Sequence, residues 1–364
     1  MSEESVVVPL PPDRTHRGIS GSILRMNDGS LLFVHAIETN PLKGECWLEA
    51  RRSRDDGRTW GDPFPPLPRE GNFETIAPTL LRLESGEVLL FYTLEVLSAR
   101  PEGWGDHTPT LDQHVYVRRS TDEGESWSSP VCAAHYPGSC QSQADKVVRL
   151  SSGRIVIPVE GFWLTSGDHC VSLCFYSDDA GYSWWPSRNF VDLGDSTEEP
   201  SVVEMEDGRL IMMCRTRQGY LARCFSEDDA LTWSEPELVP ELTDPCAGFL
   251  ATRIPATGDL LVIFCRNPLA PAFYGGEEQR MVRVGELEIP LGKVRSPLTS
   301  AISTDGGRSW GRFRCIAPDP EGGHGDYGYP GLTWIDGDRV ALVNYHALDG
   351  IRLARIGLRW FYGE

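Results

Sequence analysis

An eight-residue pattern, Ser-x-Asp-x-Gly-x-Ser/Thr-Trp, recurs along the chain and constrains its fold more than any other feature. Four copies are complete, and a fifth has Ala230 where the others have glycine. The copies lie at Ser53–Trp60, Ser120–Trp127, Ser177–Trp184, Ser226–Trp233 and Ser303–Trp310. Each copy predicts a β-hairpin corner, because the Asp can accept backbone N–H bonds within the turn, the Gly can adopt positive φ and the Trp can pack between neighbouring sheets. The acidic residues of the pattern are therefore predicted to build the fold rather than to catalyse.

A second repeat interleaves with the first. Short apolar strands follow a glycine turn at six places, namely Gly29, Gly86, Gly153, Gly208, Gly258 and Gly337. The spacing leaves room for about four strands in each unit, and units of this kind are typical of propellers. We therefore predict a single all-β domain over residues 1–364, a six-bladed β-propeller of four-stranded antiparallel blades. Closure of the ring is expected to pair Ser5–Leu10 with Ile351–Phe361.

Charge and hydropathy exclude several classes of partner. The formal net charge is −19, and the basic residues form no run longer than pairs such as Arg118–Arg119. A nucleic acid partner is therefore not expected, because a polyanion would be repelled. No stretch of about 18 apolar residues occurs, so no membrane partner is expected either. A small anionic ligand is not excluded, since a few convergent arginines can dominate the field inside a pocket.

The chain start and the cysteines bear on location. Met1–Ser5 shows neither a basic nor an apolar segment, which predicts a cytoplasmic protein, or a secreted one if a leader has been removed. The ten cysteines are scattered without a Cys-x-x-Cys pair. We expect them to be reduced core residues. No metal is expected, because His16, His324, His346 and Asp145 lack the spacing of metal ligands.

Polar residues recur where the inner strand of each predicted blade begins, roughly eight to twelve positions before the repeat glycine. In a propeller these positions converge on the axis, so a binding pocket is predicted there. An axis filled with water and polar side chains, as in an interaction scaffold, is the alternative. Five blades supply His16 and Arg17; Asn72 and Glu74; Gln141, Gln143 and Asp145; Glu198 and Glu199; and Asp326, Tyr327 and Tyr329, whereas the fifth blade supplies the small or apolar residues of Cys246–Phe249.

Two local segments are more specific than the repeats. One runs from Glu199 through Pro-Ser-Val-Val-Glu-Met-Glu-Asp-Gly-Arg-Leu to Arg215, and the other runs from Tyr329 through Pro-Gly-Leu-Thr-Trp-Ile-Asp to Gly337. Both segments resemble the sialidase (neuraminidase) superfamily. Arg295, shortly before the last eight-residue repeat, matches the position of the third carboxylate-binding arginine of that family. The resemblance extends over essentially the whole chain and implies a BNR (Asp-box) repeat protein.

This resemblance implies a retaining exo-glycosidase that releases a terminal acidic sugar from an oligosaccharide or glycoconjugate without a cofactor. Tyr329 would be the nucleophile and Glu199 the base that takes its proton. Arg215 and Arg295 would bind the substrate carboxylate, with Arg17 as the candidate for the first arginine. The resemblance leaves open whether the protein forms a homo-oligomer.

The first blade departs from the family pattern. The chain reads His16-Arg17-Gly-Ile-Ser where the family has Arg-Ile-Pro, and the family's acid/base Asp has no clear counterpart. Glu74 and Asp145 are the candidates for that acid, and His16, Gln143 and Tyr327 are further candidates for substrate contacts. Two alternatives therefore stay open. One is a sialidase-fold enzyme that cleaves a uronic-acid-bearing glycan by hydrolysis or elimination, and the other is a non-catalytic propeller that binds a glycan or a protein.

Overall fold

A computed structural model of the chain describes residues 3–10, 16–39, 46–68, 73–96, 112–136, 138–162 and 169–364. For residues 16, 17, 20, 39, 73, 74, 96, 112 and 138 it describes the backbone alone. Antiparallel sheets make up almost all of the regular structure, and the fold is all-β and propeller-like. Neither α-helix of the described residues is long and apolar enough to span a bilayer.

The first strands of the chain divide between two sheets. Strands β2, β3 and β4 form a three-stranded antiparallel sheet, which the backbone of Ala50 extends by a bridge to Phe64. Strand β1 belongs instead to the sheet formed by the last strands. The bounds are β1 (Glu3–Pro9), β2 (His16–Arg25), β3 (Leu31–Thr39) and β4 (Cys46–Ser53).

The next strands form one nine-stranded sheet in the order β13-β12-β11-β9-β7-β6-β5, with β8 paired to β7 and β10 to β11. Strand β9 joins the two halves, because it runs antiparallel to β11 and parallel to β7. The bounds are β5 (Phe73–Arg82), β6 (Val88–Val96), β7 (Asp112–Ser120), β8 (Val131–Ala134), β9 (Gly138–Gln141), β10 (Val148–Arg149), β11 (Ile155–Phe162), β12 (Cys170–Ser177) and β13 (Trp185–Pro186).

Two four-stranded sheets follow, β14-β15-β16-β17 and β18-β19-β22-β23. The first comprises β14 (Thr197–Glu204), β15 (Leu210–Thr216), β16 (Tyr220–Ser226) and β17 (Glu237–Thr243). The second comprises β18 (Leu250–Arg253), β19 (Leu260–Cys265), β22 (Leu298–Ser303) and β23 (Gly311–Ala317). An insertion between β19 and β22 contains α1 (Ala270–Tyr274), a hairpin of β20 (Met281–Val284) with β21 (Leu287–Pro290), and a 3-10 turn at Leu291–Lys293.

The last strands form a four-stranded sheet with the first, in the order β1-β26-β25-β24. Its bounds are β24 (Gly328–Ile335), β25 (Val340–Ala347) and β26 (Gly350–Gly357), followed by α2 (Leu358–Tyr362). The predicted pairing of the two ends is confirmed, with Ser5 opposite Leu353. The predicted extension of the last strand to Phe361 is wrong. Gly357 pairs with the first residue of β25, so the chain has no further partner strand there, and it turns into a helix that buries Phe361.

The repeat glycines have the backbone conformation that the sequence predicts. All six have positive φ, between 60° at Gly337 and 92° at Gly86. Residues with a side chain adopt this conformation at a cost, which explains the recurrence of glycine at these turns. Each turn is followed directly by an apolar strand, and β19 (Leu260–Cys265) is buried at every position. Sheets that are covered on both faces require such continuous apolar strands.

The eight-residue repeats form the predicted corners. In the first copy, Oδ1 of Asp55 accepts the Thr59 N–H at 2.8 Å and Oδ2 accepts the Thr59 hydroxyl at 2.6 Å. The Gly57 N–H donates to Ser53 Oγ at 2.9 Å. Hydrogen bonds from Thr59 and Ser53 lower the pKa of Asp55 to about 2, so its carboxylate stabilises the turn. In the fifth copy Ala230 replaces glycine and keeps a left-handed φ of 68°.

Candidate functional site

The inner strands carry an irregularity at the same place in several sheets. The pairing register shifts between Ile76 and Thr79 in β5, between Glu198 and Ser201 in β14, and between Gly328 and Gly331 in β24. A bulge of this kind redirects a side chain and is frequent near active sites. Left-handed residues other than glycine occur at or next to these inner strands, namely Ala77, Asp145, Glu199, Cys246 and Tyr329, with φ between 47° and 60°.

These left-handed residues include both members of the predicted nucleophile and base couple. Such a conformation costs a residue with a side chain about 1–3 kcal/mol, and it persists only where the surrounding structure holds it. Glu199 has a φ of 47° in β14, and Tyr329 has a φ of 51° in β24. The backbone at these two positions is therefore held in a conformation that an ordinary strand would not adopt.

Glu199 forms a buried ion pair with Arg215 on the neighbouring strand β15. Arg215 Nη1 lies 2.5 Å from Glu199 Oε1. The second carboxylate oxygen, Oε2, is buried and has no hydrogen-bond partner among the described residues. Glu199 therefore has one oxygen fixed by a cation and one oxygen available to accept a proton.

Glu198 completes the charge balance beside this pair. Its Oε1 lies 2.8 Å from Arg217 Nε, and its Oε2 lies 3.5 Å from Arg215 Nε. Burial lowers the pKa of Arg215, but its neighbours, Glu199 and Glu198 among them, outweigh that effect and hold its pKa well above the usual value. Arg215 thus stays charged although it is buried.

Arg215, in β15, and Arg295, in the segment before β22, converge on one residue, Cys246. Arg215 Nε donates to Cys246 Sγ at 3.0 Å, and Arg295 Nη2 donates to the Cys246 carbonyl at 3.2 Å. Burial disfavours the charged form of Arg295, yet Tyr329 and Asp326 outweigh that effect and its pKa is raised. Two guanidinium groups that contact the same residue have the donor chemistry to bind an anion with two oxygens, such as a carboxylate.

Tyr329 lies beside these two arginines. Its backbone N–H donates to the Gly248 carbonyl at 3.3 Å, and its ring covers Gly248 so closely that a Cβ there would lie 2.6 Å from the ring. Its phenol is near enough to interact with the charges of both Arg215 and Arg295. The structure therefore brings four of the predicted site residues together, namely Tyr329, Glu199, Arg215 and Arg295.

Asp145 lies in the turn before β10 and connects inner strands. Its Oδ1 accepts the Ser22 hydroxyl at 2.6 Å, and its Oδ2 accepts the Leu332 N–H at 2.8 Å. Its own N–H donates to the Pro78 carbonyl at 3.2 Å. Burial raises the pKa of Asp145 to about 6, against the effect of these hydrogen bonds. Both oxygens are thus already bound to other parts of the chain.

The remaining predicted residues lie elsewhere or outside the description. Tyr327 is not brought to the cluster, because its hydroxyl donates to the Pro318 carbonyl at 2.8 Å and its ring packs against Tyr345. Gln143 is half-buried in the turn between β9 and β10. The backbones of His16 and Arg17 lie in β2 and that of Glu74 in β5, but their side chains lie outside the described residues.

Sequence reasoning missed three buried charged residues. Lys146 and Glu160 contact the backbone of Glu199, and Asp244 lies among Arg215, Arg295 and Glu199. Burial raises the pKa of Asp244 to about 7, although the Ala247 N–H opposes it. Glu160 could have been noticed, because it is the one charged residue of the apolar strand Ile155–Phe162. Lys146 gave no local signal beyond its place next to Asp145.

Within the described part of the chain, no group of three His, Cys, Asp or Glu residues is placed to hold a metal ion. All ten cysteines are free, and eight of them are buried, with Cys132 and Cys315 exposed. The expected place of the cysteines in the core is thus confirmed for eight of the ten.

Comparison with known proteins defines the class. Residues 43–341 match the family described as the BNR repeat-like domain. Because this match covers most of the chain, the protein belongs to the BNR-repeat proteins of the sialidase superfamily.

The individual relatives are distant. A sialidase of Micromonospora viridifaciens is 27% identical over 94% of this chain, and Sialidase-3 of Rattus norvegicus is 31% identical over 28% of it. The matches span 50% and 26% of those two proteins, so this chain covers half or less of the curated relatives.

Solved structures show the same fold. The Hadza microbial sialidase Hz136 superposes with a TM-score of 0.73 at 20% identity, over 98% of this chain and 69% of its own. A Trypanosoma rangeli sialidase in complex with the inhibitor DANA gives 0.69 at 15% identity, over 100% of this chain and 60% of its own. A protein of unknown function from Dyadobacter fermentans gives 0.73 at 19% identity, over 98% of both chains.

Proposed function

We propose that the protein is a sialidase-type exo-glycosidase that hydrolyses a terminal, sialic-acid-like sugar from a glycan. One observation carries the proposal, the convergence of Arg215 and Arg295 on Cys246 beside Tyr329. An exposed anion-binding surface needs only basic residues, whereas here two half-buried guanidiniums adjoin a phenol and a carboxylate. The names of the relatives above support the same reaction class.

The carboxylate of the sugar binds the two arginines in this scheme. Each guanidinium offers paired N–H donors that match two carboxylate oxygens, and charge-assisted bonds of this kind are about twice as strong as neutral ones. Arg17, on β2, is the proposed first arginine of the clamp and completes the set of three. A carboxylate held there brings the anomeric carbon, to which it is attached, toward Tyr329.

Tyr329 acts as the nucleophile and Glu199 as its base. The phenol oxygen attacks the anomeric carbon while its proton passes to a carboxylate oxygen of Glu199, and the bond to the leaving glycan breaks. Oε2 suits this role, because Oε1 is bound to Arg215 and Oε2 has no hydrogen-bond partner in the described structure. A neutral phenol avoids the repulsion that a carboxylate nucleophile would meet from the substrate's own carboxylate.

Water then releases the sugar from Tyr329, so the configuration at the anomeric carbon is retained. The leaving group takes a proton from a general acid, for which Glu74 and Asp145 are the two proposed residues. Both oxygens of Asp145 already accept hydrogen bonds, which favours a role for Asp145 in linking the inner strands. Glu74 is therefore our preferred general acid.

We propose six blades for the ring that carries this site. The nine-stranded sheet then counts as two blades, β5–β8 and β10–β13, which β9 joins. Each half has its own repeat glycine, Gly86 or Gly153, and its own eight-residue repeat, which supports the division. The three-stranded sheet and the three four-stranded sheets are the other four blades.

The test is turnover of 4-methylumbelliferyl N-acetylneuraminic acid by the purified protein, with 4-methylumbelliferyl glucuronide in parallel. We expect release of the fluorophore from the sialoside, with loss of release in Glu199→Gln. Turnover of the glucuronide alone would reject the sialic-acid assignment. Binding of free sialic acid without turnover of either substrate would reject the enzyme and favour a glycan-binding propeller.

A further inference from the structure

The bulge in β14 removes Glu199 from the ladder of the sheet. Glu198 pairs with Arg215, and the next paired residue is Ser201, opposite Met213. The backbone N–H and C=O of Glu199 therefore need partners outside the strand pairing, because a buried backbone group without a partner is costly.

Two charged side chains supply these partners. Glu160 Oε2, from β11, accepts the Glu199 N–H at 2.7 Å. Lys146 Nζ donates to the Glu199 carbonyl at 2.5 Å. Both side chains are buried, with 7% of Glu160 and 3% of Lys146 exposed. One residue in a left-handed conformation is thus held at its N–H by the carboxyl group of Glu160 and at its C=O by the amino group of Lys146.

Each of these two side chains is itself held in place. Gln141 donates its side-chain amide to Glu160 Oε1, so Glu160 has a partner at both oxygens. The ammonium of Lys146 lies 4.4 Å from the centre of the Phe249 ring, a cation–π contact that fixes its direction. The clamp on Glu199 is therefore built from side chains with little freedom.

Other left-handed positions near the axis are held differently. The N–H of Asp145 bonds to the backbone carbonyl of Pro78, and that of Tyr329 bonds to the backbone carbonyl of Gly248. Backbone partners of that kind follow from packing of neighbouring sheets and require no particular side chain. The partner of the Glu199 N–H is instead a side-chain carboxylate, which only an acidic residue at position 160 supplies. Packing of the sheets does not require an acidic residue there, so its presence calls for a reason beyond the fold.

We propose that Glu160 is a positioning residue for the reaction, which holds the Glu199 backbone, with Lys146 opposite it, so that the Glu199 carboxylate stays between Arg215 and Tyr329. This inference rests on the proposed role of Glu199 as the base. Glu160 acts through the reach of its carboxylate to the Glu199 N–H and not through its charge.

Two variants separate the effect of the length of the Glu160 side chain from the effect of its charge. Glu160→Gln removes the charge but keeps the length of the side chain and one acceptor oxygen for the Glu199 N–H, while its amide nitrogen can donate to Gln141 once that amide turns its oxygen inward. Glu160→Asp keeps the charge but is one methylene shorter, so its carboxylate falls short of the Glu199 N–H. The matched control is Glu204→Asp at the other end of β14, where Glu204 Oε2 accepts the Ser151 N–H at 2.7 Å.

Turnover of the aryl sialoside is the first readout. In Glu160→Asp we expect kcat to fall roughly 100-fold with KM nearly unchanged, because a displacement of about 1 Å at a catalytic group can cost that much. Glu160→Gln and Glu204→Asp should stay near the wild-type kcat. Equal losses in the Asp and Gln variants, or wild-type kcat in Glu160→Asp, would overturn the proposal.

A second readout does not depend on activity. With glutamate labelled at both ¹³C′ and ¹⁵N, an HNCO spectrum shows only amides that follow another glutamate, which are Glu4, Glu199 and Glu278. The Glu199 signal is the one lost in Glu199→Gln. Its amide proton should lie downfield in wild type and in Glu160→Gln, and move upfield in Glu160→Asp. An unmoved signal in Glu160→Asp contradicts the proposal even if the wild type turns over no sialoside, so the two failures are distinguishable.

Discussion

Glu199 of β14 and Arg215 of β15 form an ion pair with 2.5 Å between Oε1 and Nη1, and this contact joins the proposed base to the proposed carboxylate clamp. The same arginine reaches Cys246, where Arg295 also binds. A change in any one of these side chains therefore alters the contacts of the others. Variants need controls that lie nearby but outside the cluster.

Replacement of Tyr329 by Phe should remove turnover while leaving the fold intact. The phenol oxygen is the proposed nucleophile, so kcat on the aryl sialoside should fall by at least about 100-fold. Tyr327→Phe is the matched control, because the Tyr327 hydroxyl donates to Pro318 outside the cluster. Steady-state kinetics and thermal melting check both variants. Equal activity of Tyr329→Phe and Tyr327→Phe would exclude Tyr329 as the nucleophile.

Arg295→Lys should weaken binding of the acidic sugar. Lysine keeps the positive charge but loses the planar pair of donors, so we expect KM to rise about 10-fold or more, the equivalent of about 1.4 kcal/mol. Arg223→Lys is the control, since Arg223 pairs with Glu237 on the outer strands. The measurement is KM for the sialoside. A KM that rises equally in both variants would show that Arg295 does not bind the substrate carboxylate.

Asp145→Asn should change how stability depends on pH. The pKa of Asp145 is about 6 in the folded protein, above its ordinary value of 3.8, because the group is buried. The folded state therefore holds the proton more tightly than the unfolded state. The resulting stability is complete below pH 4 and is lost as the pH rises through about 6, a change of about 1–3 kcal/mol.

Urea unfolding of wild type and Asp145→Asn between pH 4 and pH 7 measures this difference. The wild type should lose stability relative to Asp145→Asn as the pH rises across that window, and turnover of Asp145→Asn at pH 7 should be largely kept. A difference that does not vary with pH would show that the Asp145 carboxyl titrates normally. Loss of turnover without loss of stability would identify Asp145 as the general acid.

The thiols should fall into two groups in their reaction with iodoacetamide. Cys132 and Cys315 are exposed, whereas the other eight are buried. Burial raises the pKa of buried thiols such as Cys140, Cys214 and Cys246, which leaves little reactive thiolate at neutral pH. Mass spectrometry at short times should show two modified cysteines without loss of turnover. Early modification of Cys246 would contradict its burial beside Arg215.

The elements that the sequence predicts well are those held by local contacts. In the first eight-residue repeat the hydrogen bonds of Asp55 and of the Ser53 hydroxyl join residues within four positions, from Ser53 to Thr59. The residue types and their spacing therefore determine the structure. The glycine turns are equally local, and they were predicted for the same reason.

The supports of the site could not be predicted, because their contacts are not local. Glu160 and Glu199 are 39 positions apart, and Lys146 and Glu199 are 53 apart. They meet only because neighbouring sheets converge. Tyr327 is the converse case, a residue predicted for the site whose hydroxyl bonds to Pro318 instead. Alternation along a regular strand would place it on the same face as Tyr329, but the bulge at Gly328 and the left-handed φ of Tyr329 break that alternation.

The left-handed position that recurs near the inner strands also bears on how this scaffold can change. This left-handed conformation is adopted by Asp145, Glu199, Cys246 and Tyr329. The strand pairing around these residues is part of the fold and does not depend on which side chains they carry. New specificities can therefore arise by exchange at a few equivalent positions without rebuilding any blade. The backbone limits that exchange, because β-branched side chains are disfavoured at positive φ and Gly, Asn and Asp are tolerated best. A library built on this protein should accordingly yield folded variants with short polar residues at these positions, and few with Val, Ile or Thr.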